Sequence, residues 1–260
     1  MVRGGAGIFR LAAIDLDGTL LRSDGTIGER TKRAVRETAL DIVLVTARGP
    51  LTMRSIAEEL GVGGAAICSN GALVVDLATR AIVRQRLLET EVALRLVHEL
   101  RERMPGIRFA VEHEGFAHEP GFSAWNWTPP HGTRVADVVE LLTDPATKLI
   151  LRHAEHDTVA IQDLAREIAG DGLTVVASGS EAVEVTAAGV NKATAVAELG
   201  VPPEQVVAFG DYPNDIPLLI WAGLGVAMGN AHADVLAIAD EVTATNDEDG
   251  VAVVLERLAG

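Results

Sequence analysis

Short runs of consecutive apolar residues alternate with amphipathic stretches at both ends of the chain. Such runs are typical of strands that are buried on both faces of a sheet, and helices between them indicate parallel β-α units. The predicted strands are 11–14, 42–45, 65–68, 206–209 and 224–227, and the predicted helices are 29–39, 51–60, 191–199, 213–221, 231–239 and 249–258. The pattern therefore predicts an α/β fold with a doubly wound, Rossmann-like parallel sheet.

The rhythm changes in the middle of the chain. After a predicted hairpin or pair of linker strands at 73–83, the region up to residue 185 contains most of the aromatic residues and most of the histidines. Its predicted elements are helices at 91–103 and 157–169 and strands at 107–111, 148–151, 173–176 and 182–185. We therefore predict a core domain from residues 1–81 and 186–260, interrupted by an inserted α+β domain over 82–185.

Composition and charge narrow the functional class. Apolar residues make up 48% of the chain and charged residues 23%, which is typical of a globular protein. The chain has 22 Lys and Arg against 37 Asp and Glu, a formal net charge of −15, which argues against a nucleic-acid partner. No apolar run approaches a membrane span, and the first residues do not resemble a signal peptide. We expect a cytoplasmic protein without a membrane partner, in which the single cysteine, Cys68, is a buried apolar side chain.

Polar residues that are suited to chemistry follow the predicted strands. Asp15 and Asp17 follow the first strand, Thr46 follows the second, and Asp211 follows a strand near the other end of the chain. Lys192 lies in the first turn of a predicted helix. Because ligands of doubly wound sheets bind beyond the carboxyl ends of the strands, we expect these residues to converge at one edge of the sheet.

These residue types form a coherent set for phosphoryl transfer. The carboxylate of Asp15 can attack phosphorus, and Asp17 can act as the general acid and base. Thr46 and Lys192 offer a hydroxyl group and a positive charge to phosphoryl oxygens. Gly18 lets the backbone turn close to a substrate.

Charge arithmetic predicts a metal ion at the same place. Asp211 and Asp215 add two carboxylates to those of Asp15 and Asp17, against the two positive charges of Lys192 and Arg48. A phosphate dianion would therefore meet net repulsion unless a cation is bound. Carboxylate oxygens are ligands that Mg2+ prefers, so the predicted cofactor is Mg2+.

The motifs resemble those of a known family. The stretch Asp15-Leu16-Asp17-Gly18-Thr19-Leu20, Thr46, Lys192 and Gly210-Asp211-Tyr212-Pro213-Asn214-Asp215 resemble the four motifs of the haloacid dehalogenase superfamily. The large insert, the stretch Ser69-Asn70-Gly71-Ala72 and the stretch from Asn246 to Ala252 resemble its Cof-type phosphatase branch. The resemblance implies a core domain with an inserted cap domain that selects the substrate.

The resemblance also implies residue roles. Asp15 would be the nucleophile and Asp17 the acid and base, and Mg2+ would be held by Asp15, the Asp17 carbonyl and Asp211. Asn214 and Asp215 would support that metal site. We further expect four residues to bind substrate, namely Gly18, Ala47, Arg48 and Asn70. For Arg48 the alternative is an ion pair with a surface carboxylate.

The leading functional hypothesis is a Mg2+-dependent phosphatase of small phosphorylated metabolites, such as sugar phosphates, that works through an aspartyl-phosphate. The alternatives are a phosphomutase of sugar phosphates and a non-catalytic, phospho-accepting or binding module on the same scaffold. The aromatic segment around Trp125 and Trp127 is a candidate specificity loop of the insert. The sequence is compatible with a monomer or a homodimer.

Overall fold

The chain forms two compact units. The computed structural model describes residues 9–113, 115–122, 133–178 and 182–259. The core unit comprises Met1–Arg84 and Asn191–Gly260, and the inserted unit is Gln85–Val190. The segment around Trp125 and Trp127 lies outside the described residues.

Strands and helices alternate through the core unit, and the inserted unit adds strands and helices of its own. In chain order the elements are β1 (Leu11–Asp15), α1 (Glu29–Glu37), β2 (Asp41–Val45), α2 (Met53–Leu60), β3 (Ala65–Cys68), β4 (Leu73–Asp76), β5 (Ile82–Gln85), α3 (Thr90–Arg103), β6 (Arg108–Glu112), β7 (Phe116–His118), β8 (Arg134–Val135), α4 (Val138–Leu141), β9 (Lys148–Arg152), α5 (Thr158–Ala169), β10 (Leu173–Ser178), β11 (Ala182–Ala187), α6 (Lys192–Ala197), β12 (Val206–Gly210), α7 (Ile216–Trp221), β13 (Leu224–Ala227), α8 (Ala233–Ile238), β14 (Glu241–Val242) and α9 (Gly250–Ala259).

The core unit is built on one mostly parallel sheet. Its strand order is β14-β13-β12-β1-β2-β3-β4-β5. The strands from β14 to β3 pair in parallel, and β4 runs antiparallel to β3. β1 lies between β2 and β12, with Leu11 opposite Val206 in the register of the second pair. Strands from the two ends of the chain therefore form the centre of the sheet.

Helices cover both faces of this sheet, as the apolar runs predict. Successive residues of β1 point to opposite faces, so Ala12 and Ile14 pack on one side and Leu11 and Ala13 on the other. The first face packs against apolar residues of α1, α2 and α9, and the second against residues of α6, α7 and α8. All five residues of β1 are buried, and Cys68 at the end of β3 is fully buried as predicted.

The inserted unit has a second sheet, in the order β10-β11-β9-β6-β7-β8. Its strands are antiparallel except for β7 and β8. One face forms an apolar core with α3, α4 and α5, and Phe109 is fully buried there. The opposite face includes a smaller apolar cluster around Phe122 and a buried lysine, Lys148. The predicted α/β fold with an inserted α+β domain is confirmed.

Some short elements were not predicted from the sequence. β7, β8 and α4 of the inserted unit and β14 at one edge of the core sheet have two to four residues each. Runs of that length carry too little periodicity to identify a strand or helix. Among the described residues, none of the helices has both the length and the apolar composition needed to cross a membrane.

Candidate active site

Three adjacent strands of the core sheet present polar side chains at the same edge. Asp15 is the last residue of β1, Thr46 follows β2, and Asp211 follows β12. These strands are neighbours and parallel, so their carboxyl ends lie side by side. Asp15 and Thr46 are buried, and Asp211 is half-buried. The structure thus brings together residues that are almost 200 positions apart in sequence.

Lys192 connects two of the carboxylates at this edge. It is the first residue of α6, whose N-cap Asn191 accepts a hydrogen bond from the Thr194 amide at 2.9 Å. The Lys192 side chain is 1% exposed, and its Nζ donates to Asp15 Oδ1 at 2.6 Å and to Asp215 Oδ1. The cap therefore fixes the start of the helix that carries this ammonium group into the site.

Asp215 shapes the loop that follows β12. Its Oδ2 accepts hydrogen bonds from the main-chain amides of Asp211 and Tyr212, both at 3.1 Å. Gly210 allows this close approach, because a Cβ atom there would lie 2.5 Å from the Cβ of Asp215. Asp215 is fully buried and binds Lys192, so it supports both the loop and the lysine.

The electrostatics of this cluster are strongly perturbed. Burial, together with the charge of Asp215, raises the pKa of Asp15 well above its usual value, although Lys192 opposes the shift. Burial and the charge of Asp215 also raise the pKa of Asp211 to about 7. Burial disfavours the charged form of Lys192, but the carboxylates of Asp15 and Asp215 raise its pKa above the ordinary lysine value. Lys192 is therefore charged at neutral pH, whereas burial disfavours the charged forms of Asp15 and Asp211.

The donor set fits a divalent cation. Carboxylate oxygens of Asp15, Asp211 and Asp215 all lie within 4.8 Å of one another. With all three carboxylates ionised, one lysine leaves a net charge of −2, and burial together with the charge of Asp215 raises the pKa of Asp211. Hard oxygen ligands with excess negative charge are what Mg2+ prefers. Because Asp215 is already bonded to Lys192 and to two amides, Asp15 and Asp211 are the better candidates for ligands.

Asp17 and Arg48 lie in the loops that follow β1 and β2, and they form an ion pair. Arg48 Nε donates to Asp17 Oδ2 at 2.8 Å, and Nη2 donates to Oδ1. The Asp17 side chain is 55% exposed and that of Arg48 39%. Arg48 thus has a carboxylate partner in this structure, one of the two roles that the sequence left open, and that partner is itself a predicted site residue.

The loop after β2 is held by a turn at the end of β3. The amides of Ser69 and Asn70 donate to the carbonyls of Arg48 and Thr46, both at 2.9 Å. Ser69, Asn70 and Gly71 all have positive φ, a rare conformation for non-glycine residues that is found where the surroundings enforce it.

The side chains around this turn complete the connection. Asn70 Oδ1 accepts from Asn214 Nδ2 at 3.0 Å, which joins the turn to the loop after β12. Thr46 Oγ1 accepts from the Arg48 amide at 3.0 Å, and Ala47 between them is half-buried. Of the residues predicted to bind substrate, Asn70 therefore connects two loops of the site.

Two side chains at the site were given no role in the sequence analysis. Thr19 Oγ1 donates to Asp211 Oδ1 at 3.0 Å, and Asn230 Nδ2 donates to the Gly18 carbonyl at 2.8 Å. Gly18 has φ of +77°, and a Cβ atom there would lie 2.3 Å from Asp211 Oδ2. Thr19 lies within the first motif, so its position in the sequence could have identified it as a site residue. Asn230 has no such signal, because it binds a carbonyl group through an ordinary amide.

The chain is similar to known proteins along its whole length. The model of the haloacid dehalogenase-like hydrolase family matches residues 12–255. The 5-amino-6-(5-phospho-D-ribitylamino)uracil phosphatase YcsE of Bacillus subtilis is 34% identical over 250 residues, which cover 94% of this chain and 93% of the relative. The pyridoxal phosphate phosphatase YbhA of Escherichia coli is 30% identical over 263 residues, 94% of this chain and 96% of the relative. A solved structure of a haloalkanoate (HAD) superfamily phosphatase from Bacteroides thetaiotaomicron has a TM-score of 0.80 at 26% identity, covering 99% of this chain and 98% of the other.

Proposed function

The chain belongs to the haloacid dehalogenase-like hydrolases, in their Cof-type branch of phosphatases with an inserted domain, and we propose that it hydrolyses small phosphomonoesters through an aspartyl-phosphate on Asp15. The observation that carries the proposal is the convergence of Asp15, Lys192 and Asp211 at the carboxyl edge of the core sheet. A carboxylate that is held by a buried lysine next to a candidate cation site is suited to attack an anionic substrate.

In the first step a carboxylate oxygen of Asp15 attacks phosphorus. The bond between phosphorus and the alcohol oxygen breaks, and the leaving oxygen takes a proton from Asp17. Lys192 donates to Oδ1 of Asp15 and so fixes the orientation of the nucleophile. An oriented nucleophile reacts faster because less rotational freedom is lost on the way to the transition state.

In the second step water hydrolyses the aspartyl-phosphate. Asp17 takes a proton from the water, the water oxygen attacks phosphorus, and the bond to Asp15 breaks to release inorganic phosphate. Arg48 contacts both carboxylate oxygens of Asp17. Because protonation removes the negative charge of Asp17 and turns one of its oxygens into a donor, these contacts weaken when Asp17 carries a proton.

Charge stabilisation is divided between the chain and the metal. Thr46 and Lys192 supply a hydroxyl group and an ammonium group at the edge where the phosphoryl group would bind. Mg2+, held by the carboxylates of Asp15 and Asp211 and the main-chain carbonyl of Asp17, would neutralise phosphoryl oxygens when bound. Asn214 and Asp215 hold the loop that carries Asp211.

The relatives support a substrate class of small phosphorylated metabolites. YcsE and YbhA are named as phosphatases of a phosphoribityl-substituted uracil and of pyridoxal phosphate, each a phosphate ester of a small organic molecule. We propose substrates of this class, with sugar phosphates included, and we propose that the inserted unit selects among them.

The test is a phosphate-release screen of the purified protein with Mg2+. The panel includes sugar phosphates, nucleotides, pyridoxal phosphate and the phosphoribityl-substituted uracil. Release is expected from at least one of them, and Asp15→Asn is expected to lower it by on the order of 10³-fold or more. Asp41→Asn is the matched control, because Asp41 is an exposed carboxylate at the opposite end of β2.

Three results would contradict the proposal. Full activity of Asp15→Asn would exclude an aspartyl-phosphate intermediate on Asp15. Conversion of a sugar phosphate to its isomer without release of phosphate would identify a phosphomutase. If no panel member releases phosphate while a small phosphodonor labels Asp15 stably, a phospho-accepting module is favoured instead.

A further inference from the structure

The segment that follows the nucleophile strand is held by a loop from the other end of the chain. Residues 16–28 connect β1 to α1 and include Asp17 and Gly18. Leu16 and Leu20 are buried in the core, which fixes their side chains but leaves the direction of the carbonyl groups to other contacts. The loop at 245–249, just before α9, contacts this segment at several points, and one of these contacts is to a carbonyl group, that of Leu21.

Side chains of the C-terminal loop bind Arg22 and Ser23 of the segment and Thr31 of α1. Asp247 accepts hydrogen bonds from the amide and the hydroxyl of Ser23, both at 2.8 Å. Asp249 accepts from Arg22 at 2.8 Å and from Thr31 at 3.0 Å. These contacts bring the loop against the segment from residue 22 onward.

Gly28 shows how close the two segments lie. A Cβ atom at Gly28 would lie only 1.8 Å from Asp249 Oδ1. Asp249 itself has φ of +58°, in the left-handed region, so the loop is held in an unusual conformation at its contact with the segment.

Two asparagines extend this contact to the turn next to Asp17. The buried Asn246 donates from Nδ2 to the carbonyl of Leu21 at 2.9 Å, and its main-chain amide donates to Asn230 Oδ1 at 2.9 Å. Asn230 in turn donates from Nδ2 to the carbonyl of Gly18 at 2.8 Å. The amide of Asn230 is exposed, but it is bonded at both ends, so its orientation is fixed. Together the pair binds the first and last carbonyl groups of the turn 18–21.

We propose that Asn230 and Asn246 are positioning residues. They hold the turn 18–21 and thereby fix the orientation in which the main-chain carbonyl of Asp17 binds the metal. This inference rests on the proposed function, because it assumes Mg2+ at that carbonyl. Gly18 is the residue at which the direction of the carbonyl is least restricted, since glycine adopts many backbone conformations. The peptide that carries the Asp17 carbonyl lies between buried β1 and the Gly18 carbonyl that Asn230 binds, so holding the Gly18 carbonyl limits the rotation of the Asp17 carbonyl.

The test measures Mg2+ binding by calorimetry on the full-length protein. Asn230→Asp preserves the size of the side chain and the oxygen that accepts from Asn246, but it replaces the donor to the Gly18 carbonyl. We expect Mg2+ affinity to fall by about tenfold, as for other groups that orient metal ligands. We expect a fall of the same order for Asn246→Ala. Glu256→Gln is the control, because it breaks the Arg30 ion pair between α1 and α9 and leaves the turn untouched.

A second readout does not need the metal. In the metal-free protein, amide hydrogen exchange of residues 16–28 is expected to be faster in Asn230→Asp and Asn246→Ala than in the parent and in Glu256→Gln. Asn246 is buried, so its variant also tests folding. The exposed position of Asn230 lets Asn230→Asp fold and keeps the proposal testable.

The outcomes separate this inference from the proposed function. If Asp211→Asn loses Mg2+ binding while Asn230→Asp and Asn246→Ala bind it as the parent does, the metal site stands and the positioning role is overturned. If Asp211→Asn also binds Mg2+ as the parent does, the proposed metal site is wrong, and the positioning role falls with it. Weaker binding in both asparagine variants, with faster exchange of residues 16–28, supports the role.

Discussion

Both units of the chain bury a lysine between carboxylates, Lys192 in the core unit and Lys148 in the inserted unit. Lys148 donates to Glu184 at 2.8 Å and lies 3.6 Å from Glu112, and these two carboxylates raise its pKa although burial opposes the shift. The cluster lies within a sheet, where Glu112 is directly opposite Lys148 on the neighbouring strand. Each charge thus has a partner on an adjacent strand.

The core cluster contains one carboxylate more. Besides the pair that binds Lys192, Asp211 contributes an oxygen to the same small volume, and its pKa is raised to about 7. The cluster lies where parallel strands end, so the chain leaves the sheet there and opens room for a ligand. A buried lysine between carboxylates is therefore present in both units and does not by itself identify a functional site. The additional carboxylate is what marks a site for a cation.

The strongest test of this comparison replaces each lysine by methionine. We expect Lys192→Met to reduce phosphate release by on the order of 10²-fold or more, because the nucleophile and the phosphoryl group lose their cation. We expect Lys148→Met to keep its turnover but to lose about 3–5 kcal/mol of unfolding free energy, because the buried carboxylate of Glu184 and the half-buried carboxylate of Glu112 lose their ion pairs with Lys148. Steady-state kinetics and denaturant unfolding of both variants measure this. Equal losses of turnover in Lys192→Met and Lys148→Met would contradict the distinction between a catalytic and a structural lysine.

A second test uses the metal and the pH. Exhaustive EDTA treatment is expected to abolish turnover, and added Mg2+ to restore it. Because the pKa of Asp211 is about 7, a proton competes with the metal below that value, and Mg2+ affinity is expected to fall by about tenfold per pH unit there. Above that value Asp211 is already ionised, so its own contribution to the pH dependence of the affinity is expected to end.

The inserted unit supplies the control for the metal titration. Calorimetric titrations between about pH 6 and pH 8 measure the pH dependence of Mg2+ binding. Glu184→Gln should leave both the affinity and its pH dependence unchanged, because that carboxylate belongs to the charge-paired cluster. An affinity that does not vary with pH would contradict the assignment of Asp211 as a ligand.

The smallest expected effect concerns two arginines. Arg48 contacts both oxygens of one carboxylate, and Arg101 contacts two carboxylates. Arg48→Lys loses the two-point contact with Asp17, and we expect kcat to fall by about tenfold because the acid and base group is less well oriented. Arg101 in the inserted unit binds Glu119 and Asp137, so Arg101→Lys is expected to keep kcat and lose about 1 kcal/mol of stability. An unchanged kcat for Arg48→Lys would assign Arg48 a structural role only.

The parallel strands of the core could be predicted because their residues are apolar without interruption. In β1 and β12 every residue is buried. Strands that are buried on both faces have continuous apolar runs, which can be recognised in the sequence. In the inserted unit, β7 and β8 have three and two residues, and their pairing depends on neighbours that a local pattern does not contain. Strength of signal thus follows how completely an element is buried.

The same contrast holds for the candidate site. Asp15, Asp211 and Lys192 could be predicted as site residues, because carboxylates at the ends of buried strands and a lysine in the first turn of a helix are unusual in type and position. Their roles remain predictions, since proximity alone does not test them. Asn230 and Lys148 could not be predicted, because an amide that binds a carbonyl and a lysine at the start of a strand look like surface residues in a sequence. Only their tertiary partners distinguish them.

The central place of β1 has a consequence for how the chain is made. One of its two edges pairs with β12, which begins at residue 206, so that edge stays open on the ribosome until most of the chain has been synthesised. The sheet of the inserted unit is complete earlier, since its last strand ends at Ala187. A nascent chain that stops short of β12 therefore displays an unpaired apolar strand edge, of the kind that recruits other chains into aggregates.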